Sequence, residues 1–169
     1  VIAEDGGQDR LLRLLMDRYQ LGFSGEDQYG VQMKDALALL AASKYDELYG
    51  RILERFKALE STCDFILCVG TDYTGVSTAL EFDFNVEVAR HLGSVLVPVI
   101  NGRGKESDAL GRSTRTLFGS LEVRKCDVLA VIINRVATDR RDTVLAALKE
   151  RLSESRQVFV LPEEPILEH

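Results

Sequence analysis

The stretch from Cys63 to Gly104 constrains the fold of this chain more than any other part of its sequence. It contains an apolar run, a polar loop, a helical pattern, a second apolar run and a glycine-rich loop, in that order. The first run, Phe65 to Val69, is continuously apolar, which is typical of strands that helices bury on both faces. Gly93 ends the helical pattern and fits a C-terminal helix cap. The stretch therefore predicts one parallel β-α-β unit.

Apolar runs that predict strands recur along the chain. They begin near Phe65, Val95, Val128 and Val158, a spacing of about thirty residues that fits a strand plus a crossover helix. Val1 to Ala3 predicts the remnant of one more strand. Helical patterns occupy the remaining segments, around residues 11–22, 33–41, 43–59, 84–92, 105–125 and 138–152. We therefore predict an α/β fold, a mainly parallel sheet with helices on both faces.

Single residues predict where these elements start and stop. Ser43 and Asp46 have the spacing of a capping box that opens the third helix. Pro98 lies inside the second apolar run and lacks a backbone donor, so it indicates an irregular or edge strand. Gly119 predicts an interruption of the helical pattern at 105–125, and Thr138 predicts the N-cap of the last helix.

Length and charge narrow the class of protein. The 169 residues fit one domain, which we assign to residues 1–167, and the net charge of −6 argues against nucleic acid or an anionic membrane as a partner. No apolar run approaches the roughly 20 residues that span a bilayer. The first residue, Val1, and the final residues 168–169, which resemble the start of a purification tag, predict a fragment of a longer protein. The three cysteines predict reduced thiols in a cytoplasmic protein.

Motifs that carry chemistry are few. The phosphate-loop spacing G-x-x-x-x-G-K-[ST] does not occur, and Gly102 to Lys105 imitates it with the wrong spacing. We interpret those four residues as a flexible strand-to-helix loop. The sequence shows no arrangement of a nucleophile with its base, and Cys63 and Cys68 have no nearby histidine. We therefore predict no catalytic residue and no metal site.

Five segments nevertheless resemble a known family. They are CDFILCVGTDYTG, LEFDFNVEVARHLG, VPVINGRG, VIINRV and LPEEPIL, and they spread over most of the chain. Together they resemble the N-terminal domain of bacterial phosphate acetyltransferases, which is similar to the ATP-dependent enzyme dethiobiotin synthetase. The resemblance implies a three-layer sandwich like that of the P-loop NTPases, lacking its first strand.

The same resemblance implies a role. The chain would be the non-catalytic regulatory or structural N-terminal domain of an enzyme that moves an acetyl group between coenzyme A and phosphate. Its partners would be the catalytic C-terminal domain of the same polypeptide and further copies in a homo-oligomer. No cofactor would be required, and ATP or another nucleotide or metabolite would be the effector. Two alternatives stay open: a fragment of a ligase similar to dethiobiotin synthetase, and an interaction module that binds no nucleotide.

The resemblance also implies a degenerate nucleotide-like site. Val69 stands where relatives commonly have glutamate, which argues against a metal-dependent reaction. Asp72 lies close by, as a substitute acid or a turn former. Asn134 suits contact with a base or a turn, and Pro162 to Glu163 forms the neighbouring loop. Asn85 is expected to form hydrogen bonds near the start of its helix. The predicted site residues are Thr71, Asp72, Asn134, Pro162 and Glu163.

Overall fold

A computed structural model describes residues 1–3, 9–22, 25–71, 78–153 and 156–168. The chain divides into two compact units, Val1–Leu92 and Gly93–His169. The helices of the described residues are α1 (Arg10–Tyr19), α2 (Met33–Ala41), α3 (Tyr45–Glu60), α4 (Thr78–Leu92), α5 (Ser107–Val123) and α6 (Arg141–Lys149). The strands are β1 (Ile2–Ala3), β2 (Val31–Gln32), β3 (Val99–Asn101), β4 (Ala130–Val136) and β5 (Gln157–Pro162).

The first unit is built around α2, α3 and α4. β1 pairs with β2 in parallel, with Ile2 opposite Val31. The ring of Tyr49 stacks on Phe84, with centroids 5.8 Å apart, and on His91 at 4.7 Å, which ties α3 to α4. Most of its buried apolar residues form one cluster, made of Ile2, Val31, Ala36, Leu39, Leu48, Ile52, Phe84, Val88 and Leu92.

Two predictions for the first unit are wrong. Phe65 to Val69 forms no strand, because among the described residues its backbone makes a single hydrogen bond, in which the carbonyl of Val69 accepts from the amino group of Val1. Ser43 does not cap α3. It adopts a left-handed conformation (φ 56°) and ends α2 instead, since its N–H donates to the carbonyl of Leu40. Helix α3 then begins without a side-chain cap.

The second unit contains a parallel sheet with the strand order β3-β4-β5. Helices α5 and α6 pack against one face of this sheet and against each other. Residues alternate between that face and the opposite one, so Ile133 is buried while Phe159 is 50% exposed. The main apolar cluster of this unit contains Leu110, Phe118, Val131, Ile133, Val136, Val144, Leu148 and Val160.

Local chemistry explains the boundaries in this unit. Pro98 interrupts the second apolar run, as its missing donor predicts: Leu96 makes an isolated bridge to Val128, and β3 starts only after the proline. The carbonyl of Pro98 still accepts from the N–H of Ile132 at 2.9 Å. The predicted interruption at Gly119 is wrong, since α5 runs through it. Thr138 opens a 3-10 turn rather than α6 itself.

The predicted α/β class with parallel sheets is confirmed. Six helices and two parallel sheets are present in the part of the chain that the structure describes. The finer predictions, helices on both faces and a P-loop-like sandwich, stay predictions. No helix within the described ranges is both long and apolar enough to cross a membrane.

Candidate functional site

The carboxyl ends of β3, β4 and β5 meet at one edge of the sheet in the second unit. Parallel pairing places Asn101 opposite Asn134 and Val136 opposite Pro162. In open parallel sheets the crevice outside this edge is where ligands bind. Polar side chains gather there, and we call them the carboxyl-edge cluster: Asn101, Arg103, Asn134, Arg135 and Glu163.

A single carboxylate holds the two arginines of the cluster. The Oε1 atom of Glu163 lies 2.8 Å from Nε of Arg103 and 3.1 Å from Nη2 of Arg135. Nε of Arg135 also donates to it at 3.2 Å. The carboxylate side chain is 23% exposed, whereas the arginine side chains are 50% and 39% exposed. The two guanidinium groups are thus fixed in position, and these three side chains together carry one net positive charge.

The backbone of β4 is distorted where it enters the cluster. The pairing of β4 with β5 shifts register between Ile133 and Val136. Within that shift Arg135 has a φ of 63°, a left-handed conformation that costs a non-glycine residue about 1–2 kcal/mol. The Oδ1 atom of Asn134 accepts the N–H of Arg135 at 3.0 Å and so supports the distortion. Strain of this kind persists at functional sites. Here the strained residue, Arg135, is one of the two arginines that pair with Glu163.

The loop after β3 lies directly on the end of β4. The N–H of Gly102 donates to the carbonyl of Asn134 at 2.6 Å. A Cβ atom at Gly102 would come within 2.7 Å of Cγ2 of Val136, so only glycine permits this approach. The Oδ1 atom of Asn101 accepts the N–H of Arg103 at 3.0 Å and closes a tight turn. The predicted flexible loop is therefore held by specific hydrogen bonds.

The predicted site residues fall into three groups. Asn134, Pro162 and Glu163 lie together at the carboxyl edge of the sheet in the second unit. Thr71 lies in the first unit, and Asp72 lies outside the described residues. Sequence reasoning missed three members of the cluster, namely Asn101, Arg103 and Arg135. Their position after two predicted parallel strands was the signal, because the ends of such strands share an edge.

Thr71 is held by a side chain from α4. Its N–H donates to Oδ1 of Asn85 at 2.9 Å, and its carbonyl accepts from Nδ2 of the same residue at 2.9 Å. Asn85 therefore pairs with the backbone from the middle of the helix, not near its start as expected. A Cβ atom at Gly70 would lie 3.1 Å from Oδ1 of Asn85. Thr71 itself is 5% exposed, and its Oγ1 has no hydrogen-bond partner among the described residues.

Replacing Asn85 with alanine should destabilise the first unit. The substitution removes both hydrogen bonds to Thr71 and leaves its partly buried N–H and carbonyl unpaired, so we expect a loss of about 1–3 kcal/mol in the free energy of unfolding. Urea denaturation followed by circular dichroism measures it. Glu87→Ala, on the same helix, is the control, because it removes only an exposed ion pair with Arg90. Equal effects of the two substitutions would contradict the conclusion that the two hydrogen bonds of Asn85 hold the backbone of Thr71.

The described residues offer little to a metal ion. They contain no group of three histidine, cysteine, aspartate or glutamate side chains close enough to hold one. The groups that the cluster presents are guanidinium and amide, which bind phosphate and carboxylate oxygens. The cluster is thus suited to an anionic ligand.

The protein is thus of the α/β class, with a polar cluster that contains two arginines at the carboxyl edge of a parallel sheet. Over 95% of its length the chain is 34% identical to a phosphate acetyltransferase of Nitratidesulfovibrio vulgaris, and it covers 23% of that protein. It is 30% identical over 96% of its length to a phosphate acetyltransferase of a Synechocystis species, of which it covers 24%. The chain thus spans about a quarter of these curated relatives. No protein-family model and no solved structure matches it.

Proposed function

We propose that this chain is a non-catalytic regulatory domain of a phosphate acetyltransferase. The observation that carries the proposal is the similarity to two proteins of that name along 95% and 96% of the chain, over only 23% and 24% of theirs. The acetyl transfer itself then belongs to another part of the polypeptide, with which this domain acts as a partner. Assembly into a homo-oligomer is part of the same proposal.

The chemistry of the carboxyl-edge cluster favours binding over catalysis. A general base needs a carboxylate or imidazole that can take a proton from the substrate. The Oε1 atom of Glu163 already accepts from two guanidinium groups, so this oxygen is engaged in ion pairs within the protein. The two arginines remain half exposed and can contact an anion from outside. The cluster therefore supports capture of an anionic effector, for which ATP or another nucleotide is our proposal.

Asn134 gives the cluster a second kind of recognition. Its Oδ1 atom is used by the N–H of Arg135, whereas no hydrogen bond of its Nδ2 atom occurs among the described residues. An amide donor beside two guanidinium groups would contact a neutral acceptor of the ligand, such as a ring nitrogen of a base. Pro162, the last residue of β5, has a fixed φ and restricts the backbone where the neighbouring loop begins.

The non-catalytic role is tested by an assay of acetyl transfer. Purified chain is mixed with acetyl coenzyme A and inorganic phosphate, and release of the coenzyme A thiol is followed. We expect no release above the blank. The longer polypeptide of the same gene, with and without residues 1–167, provides the comparison: both forms should release the thiol. Turnover by this chain alone, or complete loss of turnover on its deletion, would overturn the proposal.

Glu163→Gln should tighten the binding of an anion. Glutamine keeps the size of the side chain and an acceptor oxygen for both arginines, but it removes the negative charge that neutralises one of them. We expect about tenfold stronger binding of ATP, which is about 1.4 kcal/mol. Isothermal titration calorimetry measures it. Glu122→Gln is the matched control, since Glu122 pairs with Arg156 before β5 rather than at the carboxyl edge. Weaker binding by Glu163→Gln would contradict an anionic ligand between the arginines.

A further inference from the structure

A polar cavity of the first unit lies beside α3 and shares no residue with the carboxyl-edge cluster. Its volume is about 620 Å³, within the range of about 300–1,000 Å³ that is typical of small-molecule sites. Segment 29–32 and Asp35, in the first turn of α2, form one part of the lining. Helix α3 supplies the other part with residues that share one helical face, namely Arg51, Glu54, Arg55 and Ala58.

Close packing holds segment 29–32 against α3. A Cβ atom at Gly30 would lie 2.9 Å from Cγ1 and 3.3 Å from Cα of Ile52, so the approach of the segment to the helix depends on glycine. The side chains of this segment are also joined to each other, since Nε2 of Gln32 donates to the hydroxyl oxygen of Tyr29 at 3.1 Å. This part of the lining is therefore in place before a ligand binds.

The two arginines of the lining are paired with carboxylates that lie outside it. Nη2 of Arg51 is 2.7 Å from Oε1 of Glu47, and Nη1 of Arg55 is 3.8 Å from Oδ1 of Asp27. The side chain of Arg55 is 46% exposed. Because its ion pair is long and its guanidinium is accessible, Arg55 can also contact an anionic group of a ligand.

The two carboxylates of the lining have no such partners. Within the described ranges Asp35 and Glu54 take part in no ion pair and in no side-chain hydrogen bond. They attract an ammonium group and repel a phosphate group. Val31 and Ala58 add apolar surface to the same lining. The cavity thus offers carboxylates, a guanidinium group and apolar contact to one small molecule.

We propose that this cavity binds a free α-amino acid with an apolar side chain, in its zwitterionic form. The ammonium group pairs with Asp35 and Glu54, and the carboxylate pairs with Arg55. The hydroxyl of Tyr29 accepts from Gln32 and donates its own proton to the same carboxylate. A zwitterion has no net charge, which matches a lining of two arginines and two carboxylates.

The proposal is independent of the anion that we assign to the carboxyl edge. The cavity lies in the first unit, Val1–Leu92, and the carboxyl-edge cluster lies in the second. Absence of ATP binding would therefore count against the proposed function and would leave the amino-acid site intact.

Calorimetric titration with four probes tests the charges and the side chain of the ligand. L-leucine carries both charges, N-acetyl-L-leucine lacks the ammonium group, L-leucinamide lacks the carboxylate, and glycine lacks the side chain. We expect a dissociation constant below about 1 mM for L-leucine and binding at least about tenfold weaker for each of the other probes. Absence of L-leucine binding, or equal affinity for L-leucine and any other probe, would overturn the proposal.

Glu54→Gln and Arg55→Gln test whether the amino acid lies in this cavity. Both side chains are exposed on α3, so each substitution should keep the thermal midpoint within about 2 °C of its original value. Each should weaken L-leucine binding at least about tenfold. Lys57→Gln and Glu60→Gln are the controls, because they remove the same charges from an exposed pair outside the lining. Equal affinities for the original chain and all four variants would overturn the proposal.

Discussion

Ile133→Ala is expected to lower the free energy of unfolding of the second unit by about 2–5 kcal/mol. Ile133 is fully buried on β4 and belongs to the core that α5 and α6 form on one face of the sheet. Truncation removes three carbon atoms from a packed interior and leaves a cavity that the neighbouring side chains fill only in part. The next residue along the strand is Asn134, so the same loss loosens the carboxyl-edge cluster.

Urea denaturation followed by circular dichroism measures this loss, since the chain contains no tryptophan for fluorescence. Phe159→Ala is the matched control, because Phe159 lies on the opposite face of the same sheet and is 50% exposed. It deletes a larger side chain, yet we expect less than half the effect. If Phe159→Ala proved the more destabilising of the two, the assignment of the buried face would be wrong.

Gly102→Ala is expected to cost about 1–3 kcal/mol, although alanine adds only one methyl group. The added Cβ would lie 2.7 Å from Cγ2 of Val136, 3.0 Å from Cγ2 of Ile133 and 3.1 Å from the carbonyl oxygen of Asn134. The carbonyl oxygen of Asn134 is also the atom that accepts the N–H of Gly102 at 2.6 Å. The loop therefore has to move away from β4, which carries Arg103 away from Glu163.

Gly119→Ala is the control for this substitution. Gly119 lies within α5, and a Cβ there meets nothing within 4 Å. Alanine should therefore stabilise the helix, by about 0.5–1 kcal/mol, because glycine loses more backbone entropy on folding. Opposite signs for the two glycine substitutions are the expected result of the denaturation experiment. A neutral Gly102→Ala would show that the loop does not depend on its contact with β4.

The recurrence of apolar runs along the sequence predicted the class of fold, but it did not predict which strands pair. The run Phe65–Val69 has the composition of a buried strand, and the structure leaves it exposed. A strand exists only where a neighbouring backbone accepts its hydrogen bonds, and composition cannot show whether that neighbour is present. The irregular strand at Pro98 was predicted correctly, because the missing backbone N–H of proline is a property of the residue itself and does not depend on a neighbouring strand. Ser43 was misread because capping and left-handed residues occupy adjacent positions between two helices.

The sheet edge that carries Asn134 and Glu163 was predictable from the sequence, whereas the contacts of these residues were not, and a binding site at this edge stays a prediction. Parallel topology brings Asn134 and Glu163 to one edge, as the sequence indicated. The ion pairs of Glu163 depend on a register shift in β4 and on the left-handed backbone of Arg135. Neither feature has a local sequence signal, because arginine rarely adopts that conformation. Thr71 and Asn85 are fourteen residues apart, and only the position of α4 brings them together.

Calorimetric titration with ATP tests the central claim, that the carboxyl-edge cluster binds an anionic effector. The chain is titrated with and without Mg²⁺, alongside Arg135→Gln and Arg156→Gln. Arg156 pairs with Glu122 before β5, away from the cluster, and serves as the control. We predict micromolar binding by the chain and by Arg156→Gln, and binding at least about tenfold weaker by Arg135→Gln. Absence of heat in both this chain and the longer polypeptide, or equal affinities for all three proteins, would contradict the account.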